Sequence, residues 1–285
     1  VNRWTYSGSS YVKFLSLVAH EYFHLWNVKR IRPFALGPFD YNQENYTDLL
    51  WVMEGFTSYY DELLLLRAGY YTQSEFLSKM ESSINYVEGS VGARVQPVAH
   101  ASYDAWIKAY RPNENSANTT MTYYTRGSII ASFLDVKIIR NTNGEKCLDH
   151  FLQHIYDKFY AKAGRGFTSE EFKRELESFT GENLNDFYAD YIDGTEIPSY
   201  AELFDGMGVQ VTDVTSTKPD FGASLRSSGG KAIVSRIRSN SAAEDAGLSV
   251  NDEIIGCNGY RVSKSDIEGL MKSLNEGDEL ELLIA

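Results

Sequence analysis

Cysteine is almost absent from this sequence, which has two cysteines among 285 residues. Cys147 and Cys257 lie in segments that we assign to different domains and match no metal-ligand spacing, so we interpret both as small apolar side chains. Two such cysteines do not indicate in which cellular compartment the protein works. The sequence also lacks any apolar run long enough to cross a bilayer, so we expect a soluble protein.

Positive charge is scarce as well. The chain has 27 Lys and Arg residues against 39 Asp and Glu residues, a net charge of -12. Such a charge repels phosphate backbones and anionic lipid head groups, which argues against binding to nucleic acid or to a membrane surface. We therefore expect neutral or cationic partners, on a chain long enough for two domains.

Histidine is also rare, but two of the five histidines stand in the pattern His20-Glu21-Tyr22-Phe23-His24. Apolar residues recur at helical spacing from Tyr11 to Trp26, which predicts a helix. On that helix His20 and His24 lie one turn apart on the same side, so one divalent ion can bind both imidazoles. Glu21 follows the first histidine and is placed to act as a general base on a water at that ion.

A catalytic zinc site needs three protein ligands and one open position. The segment Trp51–Tyr60 supplies Glu54, a lone carboxylate in an otherwise apolar and aromatic helix, where it needs a charge partner. The sequence thus predicts one zinc ion per chain, held by His20, His24 and Glu54. Thr47 is predicted to cap this second helix, and Gly69 to end it.

Asp48 and Asp61 flank the second helix. Metal-binding histidines usually donate their other ring nitrogen to a carboxylate or a carbonyl, so either aspartate is a candidate for that contact. We favour ordinary capping or surface roles for both. The remaining histidines fit no ligand spacing with the motif; they are His100, His150 and His154.

Further helices are predicted by capping boxes at Thr72 and Glu75 and at Thr168 and Glu171. Residues 1–200 are thus expected to form a mainly α-helical catalytic domain. A link containing Pro198 is predicted over 194–208, after which short alternating segments indicate strands of a second domain, residues 205–285.

Residues 20–33 and 51–60 resemble the glycyl aminopeptidases, a zinc family that carries a C-terminal PDZ domain, and more distantly the aminopeptidase N superfamily. The resemblance implies a thermolysin-like (gluzincin) fold and removal of N-terminal residues, such as Gly or Ala, from peptide substrates. It also implies a bacterial protein, in the cytoplasm or the periplasm. Because family members begin with a β-rich domain, we expect this sequence to lack that N-terminal portion.

The segment Tyr124-Thr125-Arg126-Gly127 resembles the Tyr-x-x-Gly segment of the aminopeptidase N superfamily, in which a tyrosine hydroxyl faces the zinc. The resemblance implies that Tyr124 donates a hydrogen bond to the developing oxyanion, with Tyr123 as the alternative. Glu114 is a candidate partner for the substrate's ammonium group. Arg126 is a second candidate for substrate binding.

The segments 221–225, 233–237, 241–247 and 252–259 resemble a bacterial PDZ domain, a small α+β fold. The resemblance implies that a peptide or a protein C-terminus binds beside Phe221, Gly222 and Ala223, with a groove helix over 265–274. Two alternatives stay open: an endopeptidase with the same zinc chemistry, and a PDZ scaffold that carries a catalytically decayed peptidase fold.

Overall fold

A computed structural model describes residues 6–214 and 219–285. The chain divides into two compact units. The first comprises Val1–Arg111 and Thr120–Gln210, and the second comprises Pro112–Thr119 and Val211–Ala285. Within the described ranges, no helix combines the length and the apolar character that crossing a membrane requires.

The first unit is built from helices. Its principal helices are α1 (Gly8–Phe23), α2 (Phe56–Arg67), α3 (Gln73–Glu88) and α4 (Val98–Tyr103). After α5 (Ser116–Thr119), which belongs to the second unit, come α6 (Tyr123–Asn141), α7 (Leu148–Ile155), α8 (Ser169–Thr180), α9 (Asn185–Phe187) and α10 (Tyr200–Phe204). Turns of π-helix precede α2 and follow α7 and α9, at Trp51–Gly55, Tyr156–Lys162 and Tyr188–Ile192.

The predicted helices are present, with shifts at their ends. Both capping boxes form, since the hydroxyls of Thr72 and Thr168 accept from the N–H groups of Glu75 and Glu171. The prediction that Thr47 caps the second helix is wrong, because the π-helical turn follows Leu50 and the Thr47 hydroxyl accepts from the Leu49 N–H instead.

The core of the first unit surrounds the π-helical turn before α2. The side chains of Trp51, Val52, Met53 and Phe56 are fully buried there, and the ring of Trp51 packs edge to face against Phe172 of α8. Burial of rings this large contributes on the order of 2 kcal/mol each. The turn that carries Glu54 is thereby held from several sides.

The predicted link over 194–208 is only partly a linker. Residues Tyr200–Phe204 form α10, and Leu203 and Phe204 are buried within the first unit. Ser199 caps this helix by accepting from the Glu202 N–H. Local composition did not show it, because so short a helix depends on tertiary contacts, here the burial of two apolar side chains.

The second unit contains a small antiparallel sheet. Its strands are β1 (Ala223–Ser228), β2 (Lys231–Ile237), β3 (Glu253–Cys257), β4 (Tyr260–Arg261) and β5 (Leu282–Ile284), with α11 (Ala242–Asp245) and α12 (Lys264–Met271) between them. The strand order is β1-β2-β3-β4, and β5 also pairs with β3. Ala232, Val234, Ile254 and Ile267 form the centre of its core.

Candidate metal centre

Three side chains converge where α1 faces the π-helical turn. The Nε2 atom of His20 lies 3.2 Å from Glu54 Oε2, and the Nε2 atom of His24 lies 3.3 Å from the same oxygen. Ligand atoms of the three residues all lie within 4.8 Å of one another, the one such group among the described residues. Two imidazole nitrogens and one carboxylate oxygen are the donor set of a catalytic zinc site, so the residues fit that metal.

The other ring nitrogens hold the imidazoles in place. His20 Nδ1 lies 3.0 Å from Asp61 Oδ2, and His24 Nδ1 lies 2.9 Å from the carbonyl oxygen of Asn27. When both Nδ1 atoms carry the proton and donate it, both Nε2 lone pairs face Glu54 and are free for a metal. Asp61 therefore contacts His20, contrary to the capping or surface role that we favoured, whereas Asp48 accepts from the Ser169 hydroxyl.

Asn27 is a residue whose role the sequence did not reveal. It is fully buried, and its Nδ2 donates to the carbonyl oxygens of Val52 and Met53 at 3.0 and 2.9 Å. Hydrogen bonds in a π-helical turn span five residues, and the Asn27 amide adds a side-chain donor to two carbonyls of this turn. Asn27 thus couples His24, through its own carbonyl, to the turn that carries Glu54. The only available signal was a polar residue three positions after the second histidine.

The electrostatics of the cluster favour a cation. Burial alone lowers the pKa of His20, but hydrogen bonds and charge from Asp61 and Glu54 outweigh burial and raise this pKa to about 9. The pKa of His24 is raised as well, by Glu54 above all, against the effect of burial. Burial raises the pKa of Glu54, yet the two histidines lower it to about 2. Without metal the site therefore holds protons that a divalent ion would displace.

Tyr124 lies beside His20 of this cluster. Its ring stacks on the His20 ring with centroids 6.2 Å apart and on the Tyr123 ring at 4.8 Å. Burial, followed by the charge of Glu54, raises the pKa of Tyr124 above the ordinary value, so its hydroxyl keeps the proton. Tyr123 is buried, with 2% exposure, whereas Tyr124 is half-buried. Glu21 is exposed on α1, next to His20.

Two glycines, Gly55 and Gly127, let α6 approach the π-helical turn that carries Glu54. A Cβ atom added to Gly127 of α6 would lie 2.6 Å from the Trp51 carbonyl oxygen and 2.8 Å from Gly55 Cα. A Cβ atom added to Gly55 would lie 2.4 Å from Gly127 Cα. The two backbones are thus in direct contact, a close approach that glycine at both positions permits.

The other predicted site residues are not part of this cluster. Arg126 is buried, and its guanidinium donates to the carbonyl oxygens of Ala93 and Glu196. Glu114 is exposed, in the segment that belongs to the second unit. Their roles in substrate binding stay predictions.

The predicted PDZ loop, Phe221 to Ala223, leads into the start of β1. The Phe221 carbonyl oxygen accepts from the Ala243 N–H, the Gly222 carbonyl oxygen accepts from the Arg238 N–H, and Ala223 begins the strand. Gly222 has φ +84, and a Cβ there would meet the Ser241 side chain at 2.2 Å, so the loop requires glycine. Binding of a peptide beside these residues stays a prediction.

Two histidines four residues apart and a carboxylate on a second segment, with a further glutamate beside the first histidine, match the arrangement found in metal-dependent hydrolases. The family model for M61 glycyl aminopeptidases matches residues 13–130, and the PDZ domain model matches residues 206–285. These matches confirm the resemblance to the PDZ-containing glycyl aminopeptidases, and with it a helix-rich region followed by a small PDZ domain.

A crystal structure supports the same relationship. The chain is similar to an aminopeptidase N family protein from Idiomarina loihiensis, with a TM-score of 0.87 and 28% sequence identity. The match covers 98% of this chain and 51% of that chain, so the sequence spans about half the length of that protein. No curated protein matches the chain.

Proposed function

We propose that this protein is a zinc-dependent aminopeptidase that hydrolyses peptides at their N-terminal residue, with Gly or Ala as the preferred residue there. The observation that carries the proposal is the convergence of His20, His24 and Glu54, with Asp61 on the outer nitrogen of His20. Zinc held by these ligands would act as a Lewis acid and lower the pKa of a bound water. The similarity to M61 glycyl aminopeptidases supports the same activity.

Glu21 and Tyr124 supply the proton chemistry in this proposal. Glu21 stands next to His20 and takes a proton from the attacking water, then returns it to the leaving amine. Tyr124 retains its hydroxyl proton because burial and the charge of Glu54 raise its pKa, and it donates to the oxyanion that develops on the scissile carbonyl.

Metal analysis of the full-length protein tests the proposal most directly. We expect about one zinc per chain, lost in His20→Ala and retained in His100→Ala, a control on the exposed His100 of α4. Glu21→Gln should keep the zinc and lose turnover, since the amide preserves shape but cannot accept the proton. A full-length protein that binds no zinc would refute the proposal, and an active Glu21→Gln variant would exclude Glu21 as the base.

Blocked substrates separate the aminopeptidase from the endopeptidase alternative. An aminopeptidase requires the free ammonium group, so N-acetylation of a Gly-Phe amide should abolish its hydrolysis. Equal rates on the free and the acetylated peptides would favour the endopeptidase.

A second, binding function is supported by the sheet of the PDZ domain. β1 stands at one end of the strand order, next to α12, and an edge strand can accept an added peptide strand. We propose that a peptide with a free C-terminus pairs with β1 beside Phe221–Ala223. Titration with a peptide library should show binding that C-terminal amidation abolishes, and the same affinity for amidated peptides would contradict carboxylate recognition.

A further inference from the structure

A cavity of about 310 Å³ lies within the first unit beside the metal centre. Its walls come from α2, α3, α6 and α10, and they include Asp61 and Tyr124. These two residues also contact His20, Asp61 by a hydrogen bond and Tyr124 by ring stacking. The cavity is therefore adjacent to the site where a substrate would react.

The α2 and α6 walls of the cavity lie on the helix faces that follow Glu54 and Tyr124. Ser58 and Glu62, on the α2 wall, follow Glu54 by four and eight residues, a spacing that keeps side chains on one side of a helix. On α6, Ser128 and Ser132 follow Tyr124 by the same intervals. A substrate bound between Glu54 and Tyr124 would thus have the cavity directly alongside.

The chemistry of the cavity suits an uncharged side chain. Asp61 is engaged by His20, and Glu62 Oε1 lies 3.5 Å from Lys79 Nζ, so each carboxylate in the wall has a partner on one oxygen, while Glu62 Oε2 is buried without a hydrogen-bond partner among the described residues. The hydroxyls of Ser128 and Ser132 donate within their own helix, to the carbonyl oxygens of Thr125 and Ile129. The rest of the wall is largely apolar and includes Phe76, Met80, Ile84, Leu203 and Phe204.

The size of the cavity limits its occupant. Its volume is at the lower end of the range for pockets that bind small ligands, about 300 to 1,000 Å³. A Gly or Ala residue at the N-terminus of a substrate would leave such a space empty. A larger residue next to it would fill the space and bury its own apolar surface.

We propose that this cavity binds the side chain of the second residue of the substrate, and that this residue is large and apolar, of the size of Leu or Phe. The assignment rests on the proposed aminopeptidase function. Serines at positions 58, 83, 128 and 132 leave the room for the side chain, because a longer residue at any of them would project into the cavity.

Filling the cavity from opposite walls tests the assignment. Ser128→Leu on α6 and Ser83→Leu on α3 each reduce its volume, whereas Ser78→Leu places the same side chain at an exposed position of α3 outside the cavity. The measurement is kcat/KM of the zinc-loaded full-length enzyme on Gly-Phe amide and Gly-Gly amide, with zinc content and thermal unfolding as checks of folding. Phe-Gly amide, which carries Phe as the first residue and Gly as the second, tests whether the cavity binds the first side chain instead.

The wild-type enzyme should prefer Gly-Phe amide over Gly-Gly amide. The ratio of the two kcat/KM values should fall about tenfold to a hundredfold in Ser128→Leu and in Ser83→Leu, and stay unchanged in Ser78→Leu. An unchanged ratio in either cavity variant that folds and binds zinc overturns the assignment. So does a wild-type enzyme without this preference, or one that prefers Phe-Gly amide. A wild-type enzyme inactive on all three amides refutes the aminopeptidase function itself.

Discussion

Replacing Gly127 by Ala is expected to separate the helix of Tyr124 from the turn of Glu54. The new methyl group would lie 2.6 Å from the Trp51 carbonyl oxygen and 2.8 Å from Gly55 Cα, against 3.4 Å or more for ordinary contact. Both neighbours are backbone atoms and cannot rotate away. The two segments must therefore move apart by about 0.6 to 0.8 Å.

The magnitude follows from two opposing effects. Overpacking of a close contact costs about 1 to 3 kcal/mol, and Ala gains about 1 kcal/mol over Gly within a helix. We therefore expect Gly127→Ala to lower the free energy of unfolding by up to about 2 kcal/mol. The effect on catalysis should be larger, because a misplacement of about 1 Å can cost on the order of a hundredfold in rate.

Gly269→Ala is the matched control. Gly269 lies within α12, and a Cβ there meets no atom within 4 Å, so this substitution should be neutral or stabilise by up to about 1 kcal/mol. Denaturant unfolding and kcat on Gly-Phe amide, measured for both variants, compare the two effects. If Gly127→Ala is as stable and as active as Gly269→Ala, the direct contact of the two backbones does not position Glu54 and Tyr124.

Three further outcomes are expected. Tyr124→Phe should lose about a hundredfold to a thousandfold in kcat with zinc content unchanged. If Tyr124→Phe turns over normally and Tyr123→Phe does not, the hydroxyl that donates to the oxyanion belongs to Tyr123. Asp61→Ala should weaken zinc binding about tenfold to a hundredfold in chelator competition, because His20 loses its acceptor, and an unchanged affinity would contradict that role. Zinc affinity should rise with pH, roughly tenfold per unit between about pH 7 and about pH 8, since His20 with a pKa of about 9 must release its proton; a flat profile would contradict the raised pKa.

The local features of this protein were predictable from its sequence. The spacing of His20 and His24 is a property of one helix, and a hydroxyl three residues before Glu75 or Glu171 satisfies N–H groups within that helix. The pairing of Glu54 with the histidines was also predictable, because a lone carboxylate among apolar residues requires a partner.

The sequence by itself predicted which three residues meet at the candidate metal centre and that a helical region precedes a small sheet domain, because these follow from spacing, capping and pattern along the chain. Only the tertiary structure decided that Asp61 rather than Asp48 holds His20, that Asn27 supports the π-helical turn, and that a cavity continues from Tyr124. Each of these depends on how helices distant in sequence pack together. Such contacts depend on the shape of the packed core, which the periodicity of residues along one helix does not indicate.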